Sequence, residues 1–215
     1  MLQVLFTNLP YLLRAAVVTL CLAGVVVTLG TLLGTGLGIL ATGSNRVVRG
    51  MITLYIFVLR GIPILVVMFL GYYAFPAVGL RLNAYVAVGL AQIVYVGAFS
   101  AEIVRSAILS VHPGQTAAAK SLGMRRAVIL HQVILPQAAR IAIPPLLNNA
   151  LIAVKQTSYA SVVGAWELTY AAREVVERTL AAFQIFLGVM AIYFLICYPL
   201  SLLARWCEKR LTVAA

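Results

Sequence analysis

Five long stretches with almost no charged residues dominate this sequence. They cover residues 15–41, 61–80, 82–101, 141–166 and 179–204, and only Lys155 interrupts the fourth. A helix needs about 20 apolar residues to cross a bilayer core, so each stretch is long enough. Soluble domains carry about 25% charged residues, whereas this chain has 10%. We expect an all-α membrane protein whose five transmembrane helices form a single domain over residues 1–215, the first helix being a retained span.

The positions of Lys and Arg predict the orientation of this domain. Five spans place the two termini on opposite sides of the membrane. Ten basic residues fall on the side of the C-terminus and of the long connector 102–140, against four on the other side. Cytoplasmic loops carry an excess of Lys and Arg. We therefore expect the connector and the C-terminus in the cytosol and the N-terminus outside.

The connector contains a stretch that cannot lie in the bilayer, QTAAAKSLGMRRAVILHQVILP at Gln115–Pro136. Ala117–Ala119 favour a helix, and Gly123 is suited to end it in the left-handed conformation. A second short helix is predicted for Met124–Leu135, ending at Pro136 because proline lacks an N–H. The first helix has small side chains, and the second is basic at its start and apolar after it. Together with the bend between them, they predict a protruding segment that binds another protein at the membrane surface.

This stretch resembles the cytoplasmic EAA loop of the permease subunits of bacterial ABC importers. That pattern runs Glu-Ala-Ala, three residues, Gly, nine residues, Ile-x-Leu-Pro. The residues that match at this spacing are Ala118, Ala119, Gly123, Leu135 and Pro136, while Val133 stands for the Ile and Ala117 for the Glu. The flanking segments Ser100–Gln115 and Ile134–Gly164 extend the resemblance to the polar amino-acid branch, of the histidine, arginine or glutamine type.

The resemblance implies a permease subunit that forms the path for polar amino acids across the bacterial inner membrane. It implies partners: two ABC ATPase subunits that hold ATP and Mg²⁺, a second permease chain, identical or homologous, and an extracytoplasmic amino-acid-binding protein. The residues expected to couple the chain to the ATPase are Ala117, Ala118, Ala119, Gly123, Arg125, Arg126, Leu135 and Pro136. Neither a cofactor in this chain nor a nucleic-acid partner is expected.

The fourth apolar stretch is also the most polar one. Asn148 and Lys155 are two helical turns apart and therefore share a face. An ammonium near mid-bilayer costs at least about 2.5–3.5 kcal/mol, so it should face a partner, the bundle interior or water. We expect a substrate pathway lined by Asn148, Lys155, Gln156, Thr157 and Ser158. The alternative is that Lys155 snorkels or is neutralised in packing.

Three further patterns carry structural expectations. Gly30, Gly34 and Gly38 form a stripe that permits close approach of another helix. Glu102 and Arg105 are spaced to pair on one helix face. Residues 166–178 predict a short helix on the outer surface, with Arg173–Glu177 and Glu174–Arg178 pairs, which either closes the outer mouth, receives a binding protein or is a solvated connector.

The sequence lacks the residues of several other functions. No GxxxxGK[ST] phosphate loop is present, and no catalytic constellation or metal-ligand spacing is seen, so we expect a non-enzyme whose ATP hydrolysis occurs in a separate subunit. The alternative is a secondary transporter or channel subunit with no ATPase partner. That reading would need ion-coupling groups or a selectivity filter, and no inverted repeat is evident.

Overall fold

The structure, a computed structural model, describes residues 3–212, and every element in that range is helical. The α-helices are α1 (Gln3–Leu40), α2 (Arg46–Gly61), α3 (Ile64–Ala77), α4 (Ala84–Ser110), α5 (Pro113–Ser121), α6 (Arg126–Val128), α7 (Leu135–Gln156), α8 (Leu168–Thr179) and α9 (Ala182–Thr212). A π-helical turn, Ile129–Ile134, joins α6 to α7, and a 3₁₀ helix, Thr157–Val163, follows α7.

Four segments are long and apolar enough to cross a membrane: Gln3–Leu40, Ala84–Ser110, Arg126–Val163 and Ala182–Leu211. The pair formed by α2 and α3 gives a fifth if it is counted as one broken span, since its two helices are bent by 107°. The predicted fold class, an all-α membrane protein, is confirmed.

The break between α2 and α3 lies where the sequence predicts a kink. Ile62 is extended, with φ −109° and ψ 134°, because Pro63 disfavours helical conformation in the preceding residue. The 14 residues of α3 are about 21 Å long, which is shorter than the roughly 30 Å bilayer core. The helix of the second apolar stretch, residues 61–80, is therefore too short to cross the bilayer core without α2.

The glycine stripe of α1 packs directly on α4. A Cβ at Gly30 would lie 2.8 Å from Val96 Cγ1, one at Gly34 would lie 2.5 Å from the Gly97 carbonyl oxygen, and one at Gly38 would lie 2.7 Å from the Ala101 carbonyl oxygen. These separations are too short for any side chain. The close helix approach predicted from the stripe is present, and it makes α1 and α4 the central pair of the fold.

The helix expected to end at Pro136 does not end there. Residues 126–163 are helical without interruption, and the N–H of Leu135 bonds to the Leu130 carbonyl five residues back. This wider π turn shifts the hydrogen-bond register just before Pro136, which accommodates its missing N–H. The fourth span consequently begins well before residue 141, and Pro144 and Pro145 lie inside α7 instead of opening it.

The α1–α4 contact predicts opposite effects for two glycines of one helix. Gly34→Ala is expected to lower the free energy of unfolding by about 1–3 kcal/mol, because the added methyl group overpacks the contact. Gly36→Ala has open space around its Cβ and should raise that free energy by about 0.5–1 kcal/mol through helix propensity. Denaturant unfolding in detergent, followed by circular dichroism, checks both. Equal effects of the two variants would contradict the contact.

Candidate functional site

The exposed end of the connector is built around α5. His112 caps this helix, since its Nδ1 accepts from the Gly114 N–H at 3.1 Å. Ala117 and Ala118 are exposed, whereas Ala119 is buried in a cluster that includes Ala107, Ile108 and Ile129. Only two of the three alanines therefore offer a surface to a partner, and the third fastens α5 to the membrane helices.

The bend after α5 is a Schellman motif centred on Gly123. The Gly123 N–H bonds to the Lys120 carbonyl at 2.9 Å, and the Met124 N–H bonds to the Ala119 carbonyl at 3.2 Å. Gly123 has φ +74°, a left-handed conformation that glycine adopts without strain. The predicted left-handed end of this helix at Gly123 is confirmed. Arg125 and Arg126 follow it and are both exposed.

The remaining predicted coupling residues, Leu135 and Pro136, lie on the other side of the π turn. Leu135 is half-buried and packs against the same cluster as Ala119, and Pro136 is exposed in the first turn of α7. Leu135 and Pro136 lie where the connector passes into the fourth span. The structure places them in contact with the support of α5 and away from its outward face.

The predicted pathway residues divide into two groups. Asn148 and Lys155 are exposed on one face of α7, and Gln156 and Ser158 are partly exposed. Thr157 does not belong with them, because it is fully buried and its hydroxyl donates to the Val154 carbonyl at 2.7 Å. The change from α-helix to 3₁₀ helix at Thr157 turns its side chain inward, which the helical spacing did not anticipate.

A second set of polar groups on α4 and α7 faces inward. Asn149 is buried, and its amide donates to Ser100 Oγ at 3.0 Å. Gln92 is also buried and donates to the Ala153 carbonyl at 2.9 Å, while its Oε1 has no partner within residues 3–212. Sequence reasoning gave these residues no separate role. The sequence feature that could have identified this buried contact is the polar side chain of Gln92 within an otherwise apolar span.

A charged cluster lies between the C-terminal end of α2 and the C-terminal half of α4. Arg105 makes two hydrogen bonds to the Glu102 carboxylate, at 2.7 and 2.9 Å, which is the predicted pair. Arg60 adds a longer ion pair to Glu102 at 3.8 Å and lies over the Phe99 ring at 5.8 Å from its centroid. In the structure Arg60 is exposed and ties the α2–α3 bend to α4.

The outer segment predicted as a helix is α8, and one face of it is buried. Leu168, Ala171, Ala172 and Val175 pack into a cluster with α1 and α9. The predicted Arg173–Glu177 and Glu174–Arg178 pairs do not form within the described chain. Glu174 instead accepts hydrogen bonds from Tyr11 and from Trp166 Nε1. The Glu174–Arg178 pair is replaced because Tyr11 and Trp166 donate to the Glu174 carboxylate and Arg178 Nε donates to the Glu174 backbone carbonyl, contacts that spacing within one helix cannot show.

Glu167 is a fully buried carboxylate at the start of α8. Its Oε1 accepts from the Tyr170 N–H at 2.9 Å, and its Oε2 accepts from the Tyr193 hydroxyl at 3.2 Å. The Thr19 hydroxyl lies 3.4 Å from Oε2 and accepts the Leu168 N–H at 3.0 Å. Glu167 thus joins α1, α8 and α9, whereas the sequence predicted only that it belongs to a short helix on the outer surface.

Comparison with known proteins agrees with this architecture. Residues 30–213 match the family described as binding-protein-dependent transport system inner membrane component. A probable glutamine ABC transporter permease protein of Bacillus subtilis is 35% identical over 97% of both chains. The glutamine transport system permease protein of Escherichia coli strain K12 is 32% identical over 95% of this chain and 94% of its own length.

Solved structures show the same fold. One chain of an amino acid ABC transporter crystallised with histidines superposes with a TM-score of 0.90, at 32% identity, over 96% of both chains. A chain of an inward-facing methionine ABC transporter gives a TM-score of 0.76 at 17% identity, over 93% of this chain and 95% of that chain. The second likeness shows the fold alone.

The buried carboxylate predicts a specific pH dependence of stability. Burial raises the pKa of Glu167 above its ordinary value, although the hydrogen bonds it accepts oppose the rise. The folded chain therefore holds this proton more tightly than the unfolded chain. Proton binding at Glu167 therefore adds to the free energy of unfolding. This contribution is fully present below the ordinary carboxyl pKa of about 4.3 and is lost as pH rises through the raised pKa of Glu167. Glu167→Gln should remove this part of the pH dependence.

The measurement is the thermal unfolding midpoint in detergent at a series of pH values. The difference in unfolding midpoint between the original chain and Glu167→Gln should change with pH between the ordinary and the raised pKa of Glu167. Glu177→Gln is the matched control, because Glu177 is exposed on the same helix, and its difference should stay flat. Parallel curves for all three chains would show that Glu167 does not titrate as argued.

Proposed function

This chain belongs to the family of binding-protein-dependent transport system inner membrane components, and we propose that it forms part of the path for polar amino acids. It is a membrane-spanning permease subunit of an ABC importer. Members of this family are not enzymes themselves, since their ATPase activity lies in separate subunits, and they act with a substrate-binding protein. The reading as a secondary transporter or channel without an ATPase is not supported.

The observation that carries the substrate proposal is the exposed face of α7 with Asn148 and Lys155. Every amino acid has a carboxylate, which an ammonium can bind in a charge-assisted hydrogen bond. Lys155 lies in the last turn of α7, where the helix dipole favours a cation. Amide and hydroxyl groups of Gln156 and Ser158 are close by in sequence and partly exposed.

The charge of this face favours neutral polar substrates. Residues 141–166 contain Lys155 and no Asp or Glu, so nothing in this span compensates a cationic substrate side chain. The relatives whose names give a substrate include permeases for glutamine and for L-cystine, which are neutral polar amino acids. We therefore propose uptake of neutral polar amino acids such as glutamine or histidine over strongly basic ones.

The exposure of Lys155 also supports a second permease chain, identical or homologous. A charged side chain in a membrane span faces protein or water and not lipid. Lys155 and Asn148 are exposed in the single chain, so a second permease placed against this face would enclose the path between them. Two ABC ATPase subunits with ATP and Mg²⁺, and an extracytoplasmic amino-acid-binding protein, complete the proposed importer.

We place this importer in the bacterial inner membrane, with the N-terminus outside and the C-terminus and α5 in the cytosol. The excess of Lys and Arg on the side of α5 supports this orientation. In it, the exposed Ala117 and Ala118 meet the ATPase, and Arg125 and Arg126 flank the contact. Buried Ala119 and half-buried Leu135 hold α5 against the spans, so that motion of the ATPase moves α7.

Removing the charge of Lys155 tests the substrate path. Lys155→Met keeps the approximate length of the side chain and should reduce uptake at low substrate concentration about 10- to 100-fold, as expected for a lost charge-assisted bond of about 1.5–3 kcal/mol. The measurement is ATP-driven uptake of labelled glutamine into proteoliposomes that contain the assembled importer. Lys209→Met, at an exposed cytosolic position, is the control. Normal uptake by Lys155→Met would exclude this lysine from the path.

The bend after α5 gives a test of coupling. Gly123→Val should leave the chain inserted but lower transport per ATP hydrolysed, because a β-branched residue strongly resists φ +74°. Space around this position is open, so the effect is conformational and not steric. Gly123→Asn is the matched variant, since Asn tolerates the left-handed conformation, and it should stay coupled. The ratio of uptake to ATP hydrolysis in proteoliposomes is measured, and equal ratios for both variants would contradict the proposal.

A further inference from the structure

Three adjoining cavities extend from the region of α5 and α6 to the space between α1 and α7. The first, of about 340 Å³, lies at the cytosolic end between Thr42, Ile108, Lys120 and Arg126. The second, of about 270 Å³, shares Ile108 with the first and is enclosed by α1, α4 and α7. The third, of about 360 Å³, shares Ile143 and Leu146 with the second. Because neighbouring cavities share lining residues, the three follow one another along the protein, and we call them together the α1–α7 groove.

The groove changes from charged to apolar along its length. The first cavity is lined by the cations of Lys120 and Arg126 and by the hydroxyls of Thr42 and Thr116, and none of its lining residues is acidic. The second and third cavities are lined by aliphatic residues with a few threonines of α1 and carry no charged group within the described chain. A ligand that fits has an anionic head and an apolar tail.

The length of the apolar part matches one leaflet of a bilayer. Ile39 and Val27 mark its two ends on α1 and lie twelve positions apart. At 1.5 Å per residue this is about 18 Å, against roughly 15 Å for half of the bilayer core. The apolar part therefore matches a single acyl chain of one leaflet in length.

The helix packing explains why the groove exists. The glycine stripe draws α1 tightly onto α4, while Ala138 and Ala142 of α7 are buried in the cluster that contains Val104 and Ile108 of α4. Because α1 and α7 are each held by α4, they are kept apart where they face one another. The small side chains of Ala138, Ala139 and Ala142 line the groove there and leave the space above them unfilled.

We propose that the α1–α7 groove binds one anionic phospholipid from the cytosolic leaflet. The headgroup phosphate pairs with Lys120 and Arg126, and an acyl chain lies along the apolar part. In the orientation proposed above, the charged end lies at the cytosolic surface, where anionic lipids attract basic groups. Lys120 belongs to α5 and Arg126 to α6, so the lipid would tie the ATPase-contacting segment to the bilayer.

Lipid retention by the assembled importer tests the groove without depending on transport. The importer is placed in nanodiscs of phosphatidylcholine with phosphatidylglycerol, extracted gently and weighed by native mass spectrometry. One tightly retained phosphatidylglycerol per permease chain is expected. Ala139→Trp, which fills the floor from an exposed position, and the double variant Lys120→Gln with Arg126→Gln should each reduce retention at least tenfold. Ala139→Leu should give a smaller loss, which keeps the test usable if the Trp variant folds poorly.

Matched controls separate the groove from general surface effects. Ala191→Trp places the same ring on an exposed face of α9, and Arg205→Gln with Lys209→Gln removes two exposed cations near the C-terminus. Both should retain the lipid. Retention of phosphatidylcholine as well as phosphatidylglycerol would overturn the anionic headgroup, and equal loss in the control variants would overturn the site.

Two other occupants of the groove give distinct results, and either would overturn the proposal. If inorganic phosphate displaces phosphatidylglycerol while Ala139→Trp retains it, the cations bind a free anion and the apolar part is unused. If Ala139→Trp separates the permease chains while phosphatidylglycerol retention is unchanged, a partner helix occupies the groove. Neither result would bear on the substrate path at Lys155, so failure here is distinguishable from failure of the proposed function.

Discussion

The absence of water from the bilayer core is the constraint on which this structure depends. Backbone groups there must bond within their own segment, so the apolar stretches become helices. Side chains obey the same rule: Asn149 bonds to Ser100, and Gln92 bonds to the Ala153 carbonyl, which locks α4 to α7. Lys155 cannot be satisfied in this way, because it is exposed on the single chain. Lys155 is the charged group of this span that the single chain leaves open, and the proposed path uses it.

Close packing of small residues supplies the rest of the framework. Lipid tails are as apolar as leucine, so transmembrane helices gain little from apolar burial and associate through close contact and hydrogen bonds. The Gly30, Gly34 and Gly38 stripe brings α1 within van der Waals contact of the α4 backbone. Ala119 is the buried residue of α5 and packs in the cluster that includes Ala107 and Ile108 of α4. The segment proposed to meet the ATPase is thus attached to the membrane helices through one small side chain.

The sequence predicted the membrane class, the glycine contact and the left-handed turn at Gly123, because each follows from local chemistry. Its errors arose where backbone register or distant contacts decide. The π turn ahead of Pro136 joins two predicted elements into one, and the 3₁₀ turn buries Thr157. Glu167 looked like a surface residue because its partners, Thr19 and Tyr193, are remote in sequence. No pattern within one helix could have indicated that cluster.

The uninterrupted helix from Arg126 to Val163 connects the two proposed functional regions. Arg126 and Lys155 are separated along it by about 44 Å at 1.5 Å per residue, so one helical segment carries both the proposed ATPase-contacting end and the proposed substrate-path end. The two weak points are the π turn at Ile129–Ile134 and the adjacent Pro144 and Pro145, where helical hydrogen bonds are shifted or missing. In the proposed mechanism, displacement of α5 bends the helix at these points and changes the position of Lys155. The prolines that a soluble helix would exclude are therefore consistent with a helix whose function is to move.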